Sequence, residues 1–308
     1  MAYVALAAVC FFWGTTYLAI RISLETLPPA LMLGIRYVLS GGVLLLGIKL
    51  ARIPLPRGRE LWLTALCGII GIGLGNGFLF LAELRIPSGT AALFYTTAPF
   101  WMVGIDAFLP HGKKPLAATI LGLLVGVFGV AYMIYPAAIH EGMHGNTWPG
   151  FLLIQFSAAT WTLGSLLQKR VHSQASPIVS GAVQQFAAGV SSLAFGAAFE
   201  KMPALVGTRA TLAVCYLVVF GSIIGYSAFI YVVKNLPVAI ASIYYFVSPL
   251  VAVLLGWLFF REPFGVRSGI AMLIIFMSIG IVRWSEREKR DTRLLVDTES
   301  NAETRKSN

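Results

Sequence analysis

The chain has 308 residues, 57% of them hydrophobic and only 12% charged, with a mean hydropathy of +0.80. A soluble domain carries about 25% charged residues, so this composition excludes an ordinary soluble fold and calls for an apolar solvent around much of the surface. The net charge of +10 brings nucleic acid to mind as a partner, but the placement of that charge, described below, argues against it.

A bilayer core of about 30 Å is crossed by about 20 helical residues. Ten stretches meet that length, over residues 4–20, 29–50, 62–81, 90–109, 117–135, 148–167, 177–199, 211–233, 239–260 and 266–284. The first has no basic segment ahead of its apolar run and carries Trp13, Thr15, Thr16 and Tyr17 at mid-span, so it reads as a retained helix and not a cleaved signal. The second holds Arg36 inside the apolar run. Ionisable groups within a span are costly, and this one has three readings: an anchor for an anionic substrate group, a donor to a helix C-terminal carbonyl, or a side chain that snorkels to the interface. The third carries Gly71, Gly75 and Asn76, with Glu83 near its outer end. The fourth carries Tyr95, Pro99 and Trp101, with Asp106 near its inner end. Gln155 and Trp161 lie in the sixth, Gln184 and Gln185 in the seventh, and Tyr244, Tyr245 and Pro249 in the ninth. Residues 285–308 turn polar and read as a disordered cytoplasmic tail. The connections are short and leave no room for a soluble domain.

The second five spans replay the first five. Trp13 aligns with Trp161, Arg36 with Gln184 and Gly41 with Gly189 at an offset of 148. Gly71 and Gly221, Gly75 and Gly225, Pro87 and Pro237, Tyr95 and Tyr245, and Pro99 and Pro249 follow at 150. A two-residue insertion between the second and third spans of the later half accounts for the change. An odd number of spans repeated in tandem enters the membrane in opposite orientations, the inverted-repeat architecture of many secondary transporters. The expected fold is an all-α integral membrane protein of ten transmembrane helices, as two inverted five-helix repeats over 1–137 and 148–284.

The paired glycines put bare backbone on one helical face and read as close packing seams in lipid. Pro99 and Pro249 each remove a backbone donor within a span and predict helix kinks. Tyr95 and Tyr245 precede them by one turn; they either line a central cavity or pack as core aromatics. Placing the amino terminus in the cytoplasm puts sixteen Lys and Arg residues inside and six outside, with Arg36 in a span. That asymmetry is the topogenic signature of a membrane protein with both termini cytoplasmic, and it replaces the nucleic-acid reading.

His140-Glu141-Gly142-Met143-His144 matches a zinc-protease pattern, yet it occupies a short loop broken by Gly142, and the other two histidines, His111 and His172, fall on the opposite side. The cysteines, Cys10, Cys67 and Cys215, lie in apolar spans without metal spacing. No Walker motif or dinucleotide fingerprint occurs. The reading is therefore a non-enzyme without cofactor or metal. No Asp, Glu or His lies plainly at mid-membrane, so uniport or exchange fits at least as well as proton coupling through Glu83 or Asp106.

Phe12-Trp13-Gly14, Arg36-Tyr37, Pro87, the Tyr95–Pro99 segment and Phe260-Arg261-Glu262-Pro263, in this order over residues 1–284, resemble the EamA-type drug/metabolite transporters. The resemblance implies export of amino acids or other small metabolites, with Trp13, Tyr95, Trp161 and Tyr245 near a cavity between the halves. One departure is His111-Gly112-Lys113-Lys114, where the family often has a Glu after the fourth span. The candidate substrate-binding residues are Trp13, Thr16, Tyr17, Arg36, Asn76, Tyr95, Trp101, Gln155, Trp161, Gln184, Tyr244 and Tyr245. The expected function is secondary transport of a small metabolite out across the inner membrane, by a lipid-embedded monomer or weak homodimer. The alternative is a multidrug exporter of lipophilic cations.

Overall fold

A computed structural model of the chain describes residues 1–86, 91, 94–109, 114–140, 147–171, 175–202, 205–248, 250–251, 266, 269–271, 273–282 and 284–285, without the side chains of 130, 133–140 and 147. Every regular element among these residues is helical. Helix α1 is Ala2–Ser23, α2 Pro29–Leu50, α3 Gly58–Glu83, α4 Ala98–Phe108 and α5 Ala117–His140. Helix α6 is Thr147–Arg170, α7 Pro177–Phe199, α8 Thr208–Asn235, α9 Val238–Ser248 and α10 Gly269–Val282. Among the described residues six of these, α1, α2, α3, α6, α7 and α8, are long and apolar enough to cross a membrane. Large apolar side chains stand on their outer surfaces, with Leu46 58% and Leu212 65% exposed. Such a surface suits hydrocarbon and not water. The tail from 286 on, Pro249, Glu262 and Glu141–His144 lie outside the described residues.

The helices begin where sequence chemistry starts them. Pro29 and Pro177 sit in the first turns of α2 and α7, where a missing N–H costs nothing. Ser176 Oγ accepts from the Val179 amide at 3.3 Å, a side-chain N-cap. At α2 the cap comes from far along the chain: the two carboxylate oxygens of Glu200 accept from the Ala30 and Leu31 amides, each at 2.9 Å. A carboxylate there also meets the positive end of the helix dipole. Helix α7 starts 148 residues after α2, and α8 starts 150 after α3. The shift in offset thus falls in the connection between α7 and α8.

Helices α2 and α7 pack along their whole lengths, antiparallel, with glycines on both. A Cβ on Gly41 would stand 2.5 Å from the Phe186 backbone nitrogen, and one on Gly189 would stand 2.4 Å from that of Val38. Gly34 faces Leu193 and Gly196 faces Leu31 in the same register, so the contact advances by a heptad on each side. Bare backbone allows this approach, and van der Waals contact holds it in lipid.

Helices α3 and α8 carry π-helical turns at corresponding places, Ile69–Leu74 and Leu217–Ile224. A π-turn upsets the i→i−4 ladder and leaves carbonyls for other donors. Ser157 of α6 donates to Gly75 O at 2.6 Å, and Trp13 of α1 donates through Nε1 to Gly221 O at 3.1 Å. The expected glycine seams on these helices are the places where α6 and α1 come closest. A Cβ on Gly75 would press on Trp161 at 3.1 Å, and one on Gly225 would meet Trp13 Nε1 at 2.7 Å.

The fourth span differs from a kinked continuous helix. Turn residues Thr96 and Thr97 interrupt it, and Pro99 lies in the first turn of α4. Pro99 therefore opens a helix after a break, a position where its ring and missing donor are tolerated. Contacts at the helix ends sort into two sets. Gly207 N donates to Thr26 Oγ1, Glu200 caps α2, and Ile86 packs on Gly150 at one end. Asp106 pairs with Arg170, and Lys169 donates to Leu236 O, at the other.

Candidate functional site

Between α1, α2, α3, α6 and α9 the described residues line a cavity of about 70 Å³. Helix α1 contributes Trp13, Thr16, Tyr17 and Ile20; α2 contributes Arg36 and Tyr37; α3 contributes Asn76 and Leu79. Tyr95, just before the break ahead of α4, Trp161 of α6, and Tyr244, Tyr245 and Ser248 of α9 complete the wall. Nine of the twelve residues singled out from the sequence thus stand together: Trp13, Thr16, Tyr17, Arg36, Asn76, Tyr95, Trp161, Tyr244 and Tyr245.

The other three stand apart. Trp101 Nε1 and Thr97 Oγ1 donate to Gln155 Oε1 at 2.8 and 3.0 Å, which locks Trp101 and Gln155 into the α4–α6 contact. Gln184 is fully buried and accepts from the Tyr226 hydroxyl on α8. Gln184 and Tyr226 are the repeat counterparts of Arg36 and Asn76. Their polar groups close on each other, whereas Arg36 and Asn76 face the cavity.

Residues at matching repeat positions meet in the wall. Trp13 and Trp161 pack edge to face with ring centroids 5.4 Å apart, and the rings of Tyr95 and Tyr245 lie 5.6 Å apart. Phe229 and Tyr244 extend the cluster, each about 5 Å from Trp13. Glycines make the room: Gly225 for Trp13, Gly75 for Trp161, and Gly221 for Arg36, whose Nη2 would be 2.8 Å from an added Cβ.

Several polar groups of the wall are spent and several are not. Thr16 Oγ1 donates to Trp13 O at 2.9 Å, and Asn76 Nδ2 donates to Ile72 O at 3.1 Å. Ser157 Oγ reaches the Tyr95 hydroxyl at 3.2 Å. The Trp161 indole N–H and the hydroxyls of Tyr244, Tyr245 and Ser248 are buried without a well-formed hydrogen bond. Arg36 is 3% exposed; its Nε donates to Ser222 Oγ at 2.8 Å, and its guanidinium carbon lies 4.7 Å from the centre of the Tyr37 ring. Glu83, at the end of α3, has both carboxylate oxygens buried without a hydrogen-bond partner, and Arg21 of α1 is a neighbouring opposite charge.

Ser222 and Ser248 escaped the sequence reading, and Tyr37 entered it only as part of the family pattern, not as a site residue. Tyr37 stands beside Arg36 and could have been taken with it. Ser222 is 186 residues from Arg36, and neither periodicity nor spacing joins two residues so far apart. Among the described residues no cluster of His, Cys, Asp or Glu suits a metal ion.

Comparison with known proteins gives the same picture at the level of the chain. The EamA-like transporter family matches twice, over residues 1–135 and 148–284. YedA of Escherichia coli K12, an uncharacterized inner membrane transporter, is 34% identical over 282 residues, covering 90% of this chain and 89% of its own. The uncharacterized transporter YvbV of Bacillus subtilis is 27% identical, covering 92% of each chain. Protein PecM of Dickeya dadantii is 29% identical, covering 90% of this chain and 92% of its own. A solved crystal structure superposes with a TM-score of 0.76 at 22% identity, over 91% of this chain and 96% of that one, a likeness of fold.

Proposed function

The chain belongs to the EamA-like transporter family, and from that premise we propose that it is a secondary transporter that exports amino acids or similar small metabolites across the inner membrane by alternating access. The observation that carries this reading is the cavity between the helices, lined by aromatics together with Arg36 and Asn76. Its aromatic wall suits an apolar body, and its polar groups suit one oriented end, the usual composition of a small-molecule site.

The full architecture under this reading is ten spans in two inverted halves, 1–137 and 148–284, with both termini cytoplasmic and one chain or a weak homodimer as the working unit. Support comes from the touching repeat mates, since residues related by a two-fold axis meet only where the axis passes between them. The contacts of Trp13 with Trp161 and of Tyr95 with Tyr245 support an axis that would run through the cavity. A rocking motion about it would break the contacts at one end while those at the other hold. Flux of labelled amino acids and nucleosides in proteoliposomes, with a pH gradient imposed and then collapsed, tests the function. Saturable flux supports it, and its absence for every compound rejects it.

A second reading, export of lipophilic cations, draws on the aromatic faces, which attract cations, and on the unpaired Glu83 carboxylate. Arg36 opposes it, because a cationic guest would share the cavity with a buried positive charge. Drug resistance on overexpression that disappears in Glu83→Gln would favour this second reading.

A further inference from the structure

We propose, on the transport reading above, that the cavity selects a small molecule with a single carboxylate, that Arg36 anchors that carboxylate, and that Ser222 is the positioning residue that aims Arg36. The substrate's amino group is then dispensable, and 2-hydroxy acids are carried alongside amino acids.

Buried charges in proteins are paired, and buried donors are bonded. Arg36 departs from the first rule: among the described residues it has no carboxylate partner, and the Asp106–Arg170 ion pair lies at the end of the helices. Among the described residues that line the cavity there is no carboxylate, and Glu83 stands behind the wall, beside Tyr17. Four further groups depart from the second rule at the same place. The Trp161 N–H and the hydroxyls of Tyr244, Tyr245 and Ser248 face the same cavity without a well-formed hydrogen bond, Tyr244 standing within reach of both Trp161 and Tyr245. An indole N–H only donates, and a hydroxyl can donate. The site therefore offers one positive charge and an excess of donors.

A carboxylate answers both deficits. It supplies one negative charge and four lone-pair positions, and its plane matches the guanidinium fork. A cation would add a second positive charge beside Arg36. A dianion would bring more charge than one arginine neutralises. A neutral amide accepts through one oxygen and leaves the guanidinium uncompensated. The cavity volume of about 70 Å³ calls for a small body behind the carboxylate.

Ser222 has a separate role. Its hydroxyl accepts from Arg36 Nε, which leaves the terminal nitrogens for the ligand. The serine sits in the π-helical turn of α8, beside Gly221, whose missing side chain lets the guanidinium lie against the backbone. A shift of α8 would move the aim of Arg36, which links substrate affinity to helix position.

The test uses the full-length protein in proteoliposomes loaded with proteinogenic amino acids, their carboxamides and the corresponding 2-hydroxy acids. The expected result is saturable efflux of amino acids and hydroxy acids, with the carboxamides reduced at least tenfold. Arg36→Gln removes the preference for acid over amide, and Arg36→Lys restores part of it. Ser222→Ala raises KM severalfold with little change in maximal rate, and Ser222→Thr restores it. Carboxamides carried as fast as their acids, or an acid preference intact in Arg36→Gln, overturns the anion anchor while the transport reading stands. Efflux of no compound overturns both. Should Arg36→Gln fail to fold, the acid–amide comparison on the unmodified protein decides the matter alone.

Discussion

Trp13 and Trp161 occupy matching repeat positions, yet their indole N–H groups have different fates. That of Trp13 is bound to Gly221 O, and that of Trp161 makes no well-formed bond, with only the Tyr244 hydroxyl in reach. Replacing either with Phe trims the same volume, so the difference between the two variants isolates the bond. Trp13→Phe should cost about 1 kcal/mol more in stability than Trp161→Phe, the net worth of one buried hydrogen bond. Thermal unfolding in detergent reads it, and equal losses would refute it. Transport kinetics should reverse the order, with Trp161→Phe raising KM severalfold because its indole N–H faces the cavity. Nine of the cavity residues were visible in the sequence because polar and aromatic groups stand out against an apolar span. Trp101, Gln155 and Gln184 stand out equally, and their partners, not their chemistry, turn them away from it.

At the level of helices, the α2–α7 contact makes a prediction that separates two kinds of glycine. Gly41 lies against the backbone of Phe186, whereas Gly47, on the same helix, has open space beside it. Gly41→Ala should cost about 1–3 kcal/mol through overpacking. Gly47→Ala should be neutral or stabilise by up to about 1 kcal/mol through helix propensity. Melting temperatures of the two variants check this; a loss at both would show that flexibility, not contact, is the reason for glycine. The repeat of Gly41 at Gly189 was legible in the sequence, but the antiparallel register that brings each to the other's helix was not. Pro99 shows the same limit. A proline inside an apolar stretch fits a kink and a helix start equally well, and the turn at Thr96–Thr97 decides for the start.

For the whole molecule, the composition and the apolar pattern announced helices in a membrane because lipid accepts few other structures. The pairings that build the cavity were hidden, since Trp13 meets Gly221 and Arg36 meets Ser222 across separations of 208 and 186 residues. Alternating access has a mechanical test at the end where α1 and α2 connect. A Cβ on Gly207 would lie 3.5 Å from Thr26 Cγ2, a γ position of the kind a cysteine sulfur takes, so the two positions are near enough for a disulfide. Thr26→Cys with Gly207→Cys should therefore cross-link under oxidation, halt flux and recover it on reduction. Cross-linking with flux unchanged would show that this end does not open.

The same long separations bear on how the protein is made. At about 5–20 residues per second of synthesis, roughly ten to forty seconds pass between the emergence of Arg36 and that of Ser222. Through that interval the guanidinium sits in a half-finished bundle, and its long stem lets it reach headgroups until α8 arrives. The glycine faces of α2 likewise wait for α7. Membrane insertion and final assembly are thus separate events in the life of this chain, and a cell making it holds the early helices in the bilayer before α7 and α8 arrive to complete their contacts.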